Sequence, residues 1–195
     1  MYNPYVESFK SPEFDPKRPL ESAAAVLRAV FLSPKGFYLN FRSAGPLREP
    51  ALFVLLVSSG SGILSVVTNL IFGTGTSLRG VIVLNLVFVL LSPLLVGIAA
   101  GPYLLSVRTF VGPEGSFREI YRMLAYAYGA MILLSIPLVN AFAFTYATFV
   151  LMWLGIRYVY RTSFLTGLIT TLAGFVPVTV AFIYLLVIVN GLVAH

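Results

Sequence analysis

Residues 115–131 read GSFREIYRMLAYAYGAM, and here polar sequence gives way to the longest uncharged run of the chain. Ser116 and Glu119 have the spacing of a capping box, which predicts that a helix begins at this point. The uncharged run covers residues 123–156. As one helix, its 34 residues would extend about 51 Å, whereas the hydrocarbon core of a bilayer is roughly 30 Å thick. The run therefore predicts two membrane-spanning helices joined by a turn near Pro137.

The composition of the whole chain is typical of an integral membrane protein. Of its 195 residues, 58% are hydrophobic and 10% are charged, and the mean hydropathy is +0.93. Soluble domains contain about 25% charged residues. The chain has no cysteine, and its only histidine is His195, so we expect no thiolate or histidine metal site and no Cys or Ser–His nucleophile. We therefore expect no catalytic residue, no metal and no cofactor, and predict that the protein is not an enzyme.

The apolar blocks predict an all-α fold with five transmembrane helices. These spans cover about residues 51–73, 80–105, 118–137, 140–158 and 174–194. Gly174 and Pro177 interrupt the last uncharged stretch, so we interpret its first part as a largely interfacial segment and only its second part as a span. The alternative is one long tilted or kinked helix over residues 162–194.

The sequence before the first span is more polar. Residues 1–19 contain several prolines and acidic residues, and we predict a disordered cytoplasmic tail. Residues 20–49 predict an interfacial amphipathic helix that stops before Pro34, followed by a loop. The membrane domain then takes in residues 50–195.

The distribution of positive charge predicts the orientation. With the N-terminus in the cytoplasm and, after five spans, the C-terminus outside, only Arg79 of the 13 Lys and Arg residues falls on the outer side, as the positive-inside rule requires. The same residues produce the net charge of +6, so we expect no nucleic-acid binding. The spans contain no ionisable residue between their ends, which disfavours a small-solute transporter or channel because such residues line ion and proton pathways.

Small residues recur at helical spacing on three of the predicted spans. Faces of this kind let helices approach closely in lipid. The predicted packing faces consist of Ser58, Gly62 and Ser65, of Pro93, Gly97 and Gly101, and of Ala125 and Gly129. They suit a tight helix bundle, and equally a contact with a second copy or with another membrane protein.

Arginines at the cytoplasmic ends of spans three and four are candidate contacts for a lipid headgroup, because guanidinium groups bind phosphate. These candidates are Arg118, Arg122, Arg157 and Arg161. Arg118 and Arg122 would lie above a groove of small residues at Ala125 and Gly129. The alternative is that Ser116 and Glu119 cap the helix and the arginines only extend to the interface.

Three segments together resemble the Yip-domain family, the Ypt/Rab-interacting membrane proteins, in its prokaryotic branch. They are SPKGFYLNFRSAGPLREPALFVLLV (33–57), GPEGSFREIYRMLAYAYGAMILLSIP (112–137) and LMWLGIRYVYRTSFLTGLITTLAGFVP (151–177). The resemblance covers roughly residues 30 to 185 and agrees with a five-span frame. It implies an integral membrane protein, which we expect in a prokaryotic plasma membrane with its N-terminus in the cytoplasm.

The resemblance also implies a class of function. Eukaryotic members act in ER-to-Golgi vesicle traffic, bind prenylated Rab-type GTPases and pair with related membrane proteins. Leu47-Arg48-Glu49-Pro50 stands where those members have an acidic Leu-x-Gly-Pro signature, so a Rab-type GTPase is not an expected partner here.

Three hypotheses follow from these patterns. The first is a non-enzymatic scaffold or adaptor in membrane organisation or trafficking. The alternative is a phospholipid-binding or lipid-translocating protein that uses the small-residue groove below Arg118 and Arg122. The third, a small-solute transporter or channel, is disfavoured by the uncharged spans. The expected partners are membrane lipids and either a second copy or a related membrane protein.

Overall fold

The computed structural model of the protein describes residues 11–73, 77–136 and 139–193, and all regular structure within these ranges is helical. Two short helices come first: α1 is Pro19–Leu32 and α2 is Pro34–Leu39. Each has proline in its first turn, where the missing N–H has no helical partner in any case. α1 ends at Leu32, with Ser33 as its C-cap, so it stops before Pro34 as the sequence predicted.

Two long helices follow. α3 is Arg48–Phe72 and ends at Gly73, whose φ of +59° is the left-handed conformation that favours glycine at a helix C-terminus. α4 is Leu78–Phe110, and the Ser77 hydroxyl caps it by accepting the N–H of Gly80 at 3.2 Å. Their lengths of 25 and 33 residues are sufficient to cross a bilayer, which needs about 20 helical residues.

The region of the predicted third and fourth spans is helical but irregular. α5 is Phe117–Ala127 and continues as a 3₁₀ segment, Tyr128–Ser135. α6 is Asn140–Thr145, a π-helical segment covers Tyr146–Leu151, and α7 is Met152–Val159. α6 packs against the 3₁₀ segment, so the chain folds back between them. The turn predicted at Pro137 falls at residues 137 and 138, which lie outside the described residues.

The last helix corrects the predicted division of the C-terminal region. α8 is a single helix, Phe164–Val193, with Pro177 inside it. The interpretation as an interfacial segment followed by a span is therefore wrong, and the alternative of one long helix is what the structure has. Proline removes one backbone donor, but in apolar surroundings no water replaces the remaining helical hydrogen bonds, so the helix continues.

Within the described residues, four helical stretches are long and apolar enough to cross a membrane. They are Arg48–Phe72, Leu78–Phe110, Phe142–Val159 and Phe164–Leu185. α5 and the 3₁₀ segment lie among these helices, and every residue from Ile120 to Met131 is buried. The chain is thus a helical multi-pass membrane protein with its most enclosed segment at the position of the predicted third span.

The residues of the predicted small-residue faces contact different helices of the bundle, and some of them have no close contact. The Ser58 hydroxyl and the Tyr128 hydroxyl are hydrogen-bonded at 3.0 Å, which joins α3 to the 3₁₀ segment. Gly62 lies against Asn85 of α4, and Gly97 lies against the ring of Tyr121. Ala125 and Gly129 are buried, Ser65 and Pro93 are half-buried, and within the described ranges nothing lies within 4 Å of a Cβ placed on Gly101.

Gly174→Ala should destabilise the protein, whereas Gly101→Ala should not. A Cβ on Gly174 would lie 2.4 Å from the ring of Tyr103, which is fully buried and donates its hydroxyl hydrogen to the Thr148 carbonyl. Overpacking of this kind costs about 1–3 kcal/mol, while alanine for glycine at an open helical site gains up to about 1 kcal/mol. Thermal unfolding in detergent compares the two variants, and equal midpoints would contradict the close α4–α8 packing.

Candidate functional site

Among the described residues, Arg122 of α5 is the charged side chain that is fully buried. Its Nε donates to the carbonyl of Arg42 at 3.2 Å, and one terminal nitrogen donates to the carbonyl of Pro46 at 3.0 Å. The other terminal nitrogen donates to the Glu13 carboxylate at 2.6 Å, and the Glu49 carboxylate lies 3.9 Å from the guanidinium. All three guanidinium nitrogens therefore have an oxygen partner from the first 50 residues of the chain.

The surroundings of Arg122 offset the cost of burying its charge. An unpaired buried charge costs several kcal/mol, and carbonyl and carboxylate partners reduce this penalty. The Gly45 backbone closes over the group: its φ is +151°, and a Cβ at this position would lie 2.6 Å from a terminal nitrogen of Arg122. Only glycine allows this approach without a shift. The ring of Tyr126 lies 5.9 Å from the guanidinium carbon, which adds a cation–π contact.

Residues 11–47, here called the N-terminal segment, are fastened to the helices by more than the ion pair. Phe14 is buried and packs edge-on against Phe53, with 5.9 Å between the ring centroids. The Ser11 hydroxyl donates to the carbonyl of Phe37. Residues 11–14 therefore pack on the domain, and the predicted disordered tail is wrong for them, while residues 15–18 are exposed. Residues 1–10 lie outside the described residues.

The N-terminal segment also fills the groove predicted to hold lipid. Leu27 of α1 lies 2.8 Å, and Phe53 of α3 lies 3.2 Å, from the position of a Cβ on Gly129. The anion that Arg122 binds is the Glu13 carboxylate of the same chain. Arg122 as a lipid-headgroup contact is therefore a wrong prediction, because its guanidinium is enclosed and already paired.

The start of α5 shows half of the predicted capping box. The Ser116 hydroxyl accepts the N–H of Glu119 at 3.2 Å. The Glu119 carboxylate accepts a hydrogen bond from the Tyr160 hydroxyl at 2.7 Å, which ties the end of α7 to the start of α5. Burial raises the pKa of Tyr160, and the Glu119 carboxylate raises it further. The tyrosine thus stays protonated and keeps its donor.

Arg118 and Arg161 remain on the surface. Arg118 is exposed and has no hydrogen bond or ion pair to another residue of the described ranges. Arg161 is exposed with a φ of +53°, and it borders a cleft of about 550 Å³ that Glu114 and Glu119 also line. The cleft thus combines one cation with two carboxylates.

Arg157 lies in an aromatic cluster at the end of α7. Its guanidinium carbon is 5.7 Å from the ring centroid of Trp153, 5.4 Å from that of Tyr158 and 5.5 Å from that of Phe164. Lys35 lies 5.7 Å from the same Tyr158 ring. Arg157 is half-buried, and no carboxylate in the described part of the chain lies within ion-pair distance of it.

An apolar cavity of about 170 Å³ lies among α4, the 3₁₀ segment, the π-helical segment and α8. Residues that line it include Phe88, Ala99, Tyr128, Met131, Thr148 and Val178. Leu124 of α5 and Phe144 of α6 line it as well, and the 3₁₀ and π-helical segments form part of its wall. π-Helical insertions within α-helices occur frequently at functional sites, so the cavity is a second candidate site.

The sequence interpretation missed the partners of Arg122. Glu13 stands in the proline-rich stretch taken as tail, and carbonyl partners at Arg42 and Pro46 leave no side-chain signature. The available signal was the pair Glu13-Phe14, an acid beside a large apolar residue in an otherwise polar stretch. Gly45-Pro46 was a second signal, since it marks a tight turn beside the buried group.

Arg122→Gln should lower the free energy of unfolding by about 3–5 kcal/mol, because it breaks a buried, charge-assisted network. It should also release the N-terminal segment, so that trypsin cleaves after Lys17 faster in the detergent-solubilised variant. Thermal unfolding and limited proteolysis measure the two effects.

Arg118→Gln is the matched control, since Arg118 is exposed and lies one turn away on the same helix. It should change neither the unfolding temperature nor the cleavage rate. Equal behaviour of the two glutamine variants would contradict the structural role of Arg122.

Comparison with known proteins places these features in a family. The Yip1 domain family matches residues 28–189, which is most of the chain and includes Arg122, the cavity and the aromatic cluster. No curated protein and no solved structure matches significantly. Because the match takes in far more than half of the sequence, the chain belongs to the Yip1 domain family.

Proposed function

We propose that the protein crosses the membrane five times. Four spans are the long apolar stretches described above, and the fifth is α5 together with the 3₁₀ segment. A rise of 1.5 Å per α-helical residue and 2.0 Å per 3₁₀ residue gives this pair a length of about 32 Å. That length matches a hydrocarbon core of roughly 30 Å.

The proposed orientation has the N-terminus in the cytoplasm. Its support is the positive-inside distribution, with Arg79 alone on the outer side. Contacts between the basic segments support the same orientation, because these segments meet at one end of the bundle. Arg122 binds the N-terminal segment, Tyr160 bonds to Glu119, and Arg108 donates to the Gly115 carbonyl at 3.2 Å.

The function we propose is a non-enzymatic scaffold or adaptor in membrane organisation. The observation that carries it is the N-terminal segment, which Arg122 holds in a fixed position against the bundle. Its exposed charged side chains include Lys17, Arg18, Glu21 and Arg28. A surface fixed in this way loses less conformational entropy on binding than a free tail does. The partner we infer is a second copy of this chain or a related membrane protein.

Single cysteines test orientation and partner together, since the chain has none of its own. Lys17→Cys should react with a membrane-impermeant thiol-reactive photo-crosslinker in inverted vesicles but not in right-side-out vesicles. After illumination it should form an adduct with a membrane protein or a second copy. Adding Arg122→Gln should abolish the adduct, because the segment is then released.

Arg79→Cys is the matched control. Arg79 is exposed in the first turn of α4, at the end that the proposed orientation places outside the cell. This variant should therefore react only in right-side-out vesicles and yield no such adduct. Labelling of Lys17→Cys from the outside would overturn the orientation. The absence of any adduct from either position would overturn the scaffold function.

Phospholipid binding is a second candidate function, favoured by the apolar cavity. Its volume of about 170 Å³ is close to that of dry apolar cavities of about 150 Å³ that bind benzene. It therefore suits part of a hydrocarbon chain. A polar solute gains no compensating hydrogen bonds from such walls, so the cavity favours lipid over a small-solute pathway.

Ala99→Phe should reduce the amount of phospholipid that copurifies with the protein, because the new ring occupies the cavity that Ala99 lines. Leu94→Phe is the control on the same helix, at an exposed position outside the lining, and it should retain lipid at the wild-type level. Native mass spectrometry counts the bound lipids. Unchanged retention in Ala99→Phe would rule out the cavity as the site.

A further inference from the structure

We infer that Arg157 and Lys35 bind the phosphate group of an anionic phospholipid at the cytoplasmic edge of the bilayer. The inference rests on the membrane placement proposed above and concerns a site separate from the apolar cavity. Arg157 stands in the last turn of α7, where that helix reaches the interface. Lys35 stands in the first turn of α2 and is exposed.

The first argument is unbalanced charge. The two cations lie on one aromatic ring, that of Tyr158, at 5.4 Å and 5.7 Å from its centroid. No carboxylate of the described ranges pairs with either of them. Arg122, by contrast, has Glu13 and Glu49. A half-buried guanidinium without a carboxylate partner is stabilised by an anion, and phosphate fits its planar fork of donors.

The second argument concerns two polar atoms without partners, on two residues that adjoin Arg157. Trp153 Nε1 and Thr162 Oγ1 are buried and have no hydrogen bond within the part of the chain that the structure describes. Thr162 Oγ1 and Arg157 Cβ lie 3.3 Å and 3.4 Å from the position of a Cβ on Gly167. The ring of Trp153 contacts the Arg157 guanidinium and Thr162 lies near Arg157 Cβ, so both unpaired atoms belong to residues that adjoin Arg157. Unpaired buried polar atoms are rare, and these two mark the surroundings of Arg157 as a place where the protein leaves polar groups without its own partners.

The third argument concerns the source of the phosphate. Phe164 and Leu165 begin α8 directly beside the cluster and are 53% and 62% exposed, as expected for side chains that face acyl chains. Trp and Tyr are the residues enriched at the membrane interface. The aromatic cluster around Arg157 therefore lies where lipid headgroups are concentrated, and a lipid is the occupant that this position favours.

Trp153 reports on the site directly, because it is the only tryptophan of the chain. The full-length protein is reconstituted in phosphatidylcholine nanodiscs that contain a small fraction of either phosphatidylglycerol or phosphatidylcholine with brominated chains. Bromine quenches a nearby tryptophan. An attraction worth about 1 kcal/mol per cation corresponds to about a fivefold preference for each cation, and so to roughly thirtyfold for Arg157 and Lys35 together. Quenching by phosphatidylglycerol should exceed that by phosphatidylcholine accordingly.

Three glutamine variants and competition by inorganic phosphate test whether Arg157 and Lys35 bind the lipid. Arg157→Gln should abolish the preference for phosphatidylglycerol, and Lys35→Gln should reduce it. Arg118→Gln replaces an arginine that is exposed and unpaired, and it should leave the preference intact. Equal quenching by the two brominated lipids in the wild-type protein would overturn the inference, whether or not any variant folds. Loss of the preference in millimolar inorganic phosphate at constant ionic strength would assign the site to free phosphate and would also overturn it. The crosslinking at position 17 is independent of these results.

Discussion

The guanidinium of Arg122 determines how residues 11–47, the N-terminal segment, are arranged. A charge with no exposed surface is stable only with oxygen partners, and here those partners come from three separate places: the Glu13 carboxylate, the Arg42 carbonyl and the Pro46 carbonyl. Because all three bind one rigid, planar group, their relative positions are fixed. The N-terminal segment is consequently part of the folded domain.

The interior of the bundle depends on helices that are not regular. The 3₁₀ segment precedes the point where the chain folds back, the π-helical segment follows α6 on the returning arm, and both line the apolar cavity. Near the cavity, Tyr103 packs against Gly174 and donates to the Thr148 carbonyl of the π-helical segment. A side chain thus engages the irregular backbone, as apolar surroundings demand of polar backbone groups.

Local signals predicted much of this fold. The lengths of the apolar runs predicted the long spans, and Ser116 predicted where α5 begins. Predictions from the sequence were wrong where contacts between distant residues determine the structure. Pro177 suggested a break, but the helix continues in apolar surroundings. Arg122 resembled a headgroup ligand because its burial depends on Glu13, more than 100 residues earlier. The 3₁₀ and π-helical segments arise from packing and have no pattern in the residues themselves.

The central claim, that Arg122 holds the N-terminal segment in one position, is open to a direct distance measurement. Spin labels on Lys17→Cys and Arg118→Cys, both exposed positions, allow double electron–electron resonance on the protein in lipid nanodiscs. A segment fastened by Arg122 gives a single narrow distance distribution, which broadens when Glu13→Gln is added. A broad distribution with the native Glu13, of the kind that a free tail gives, would contradict the account.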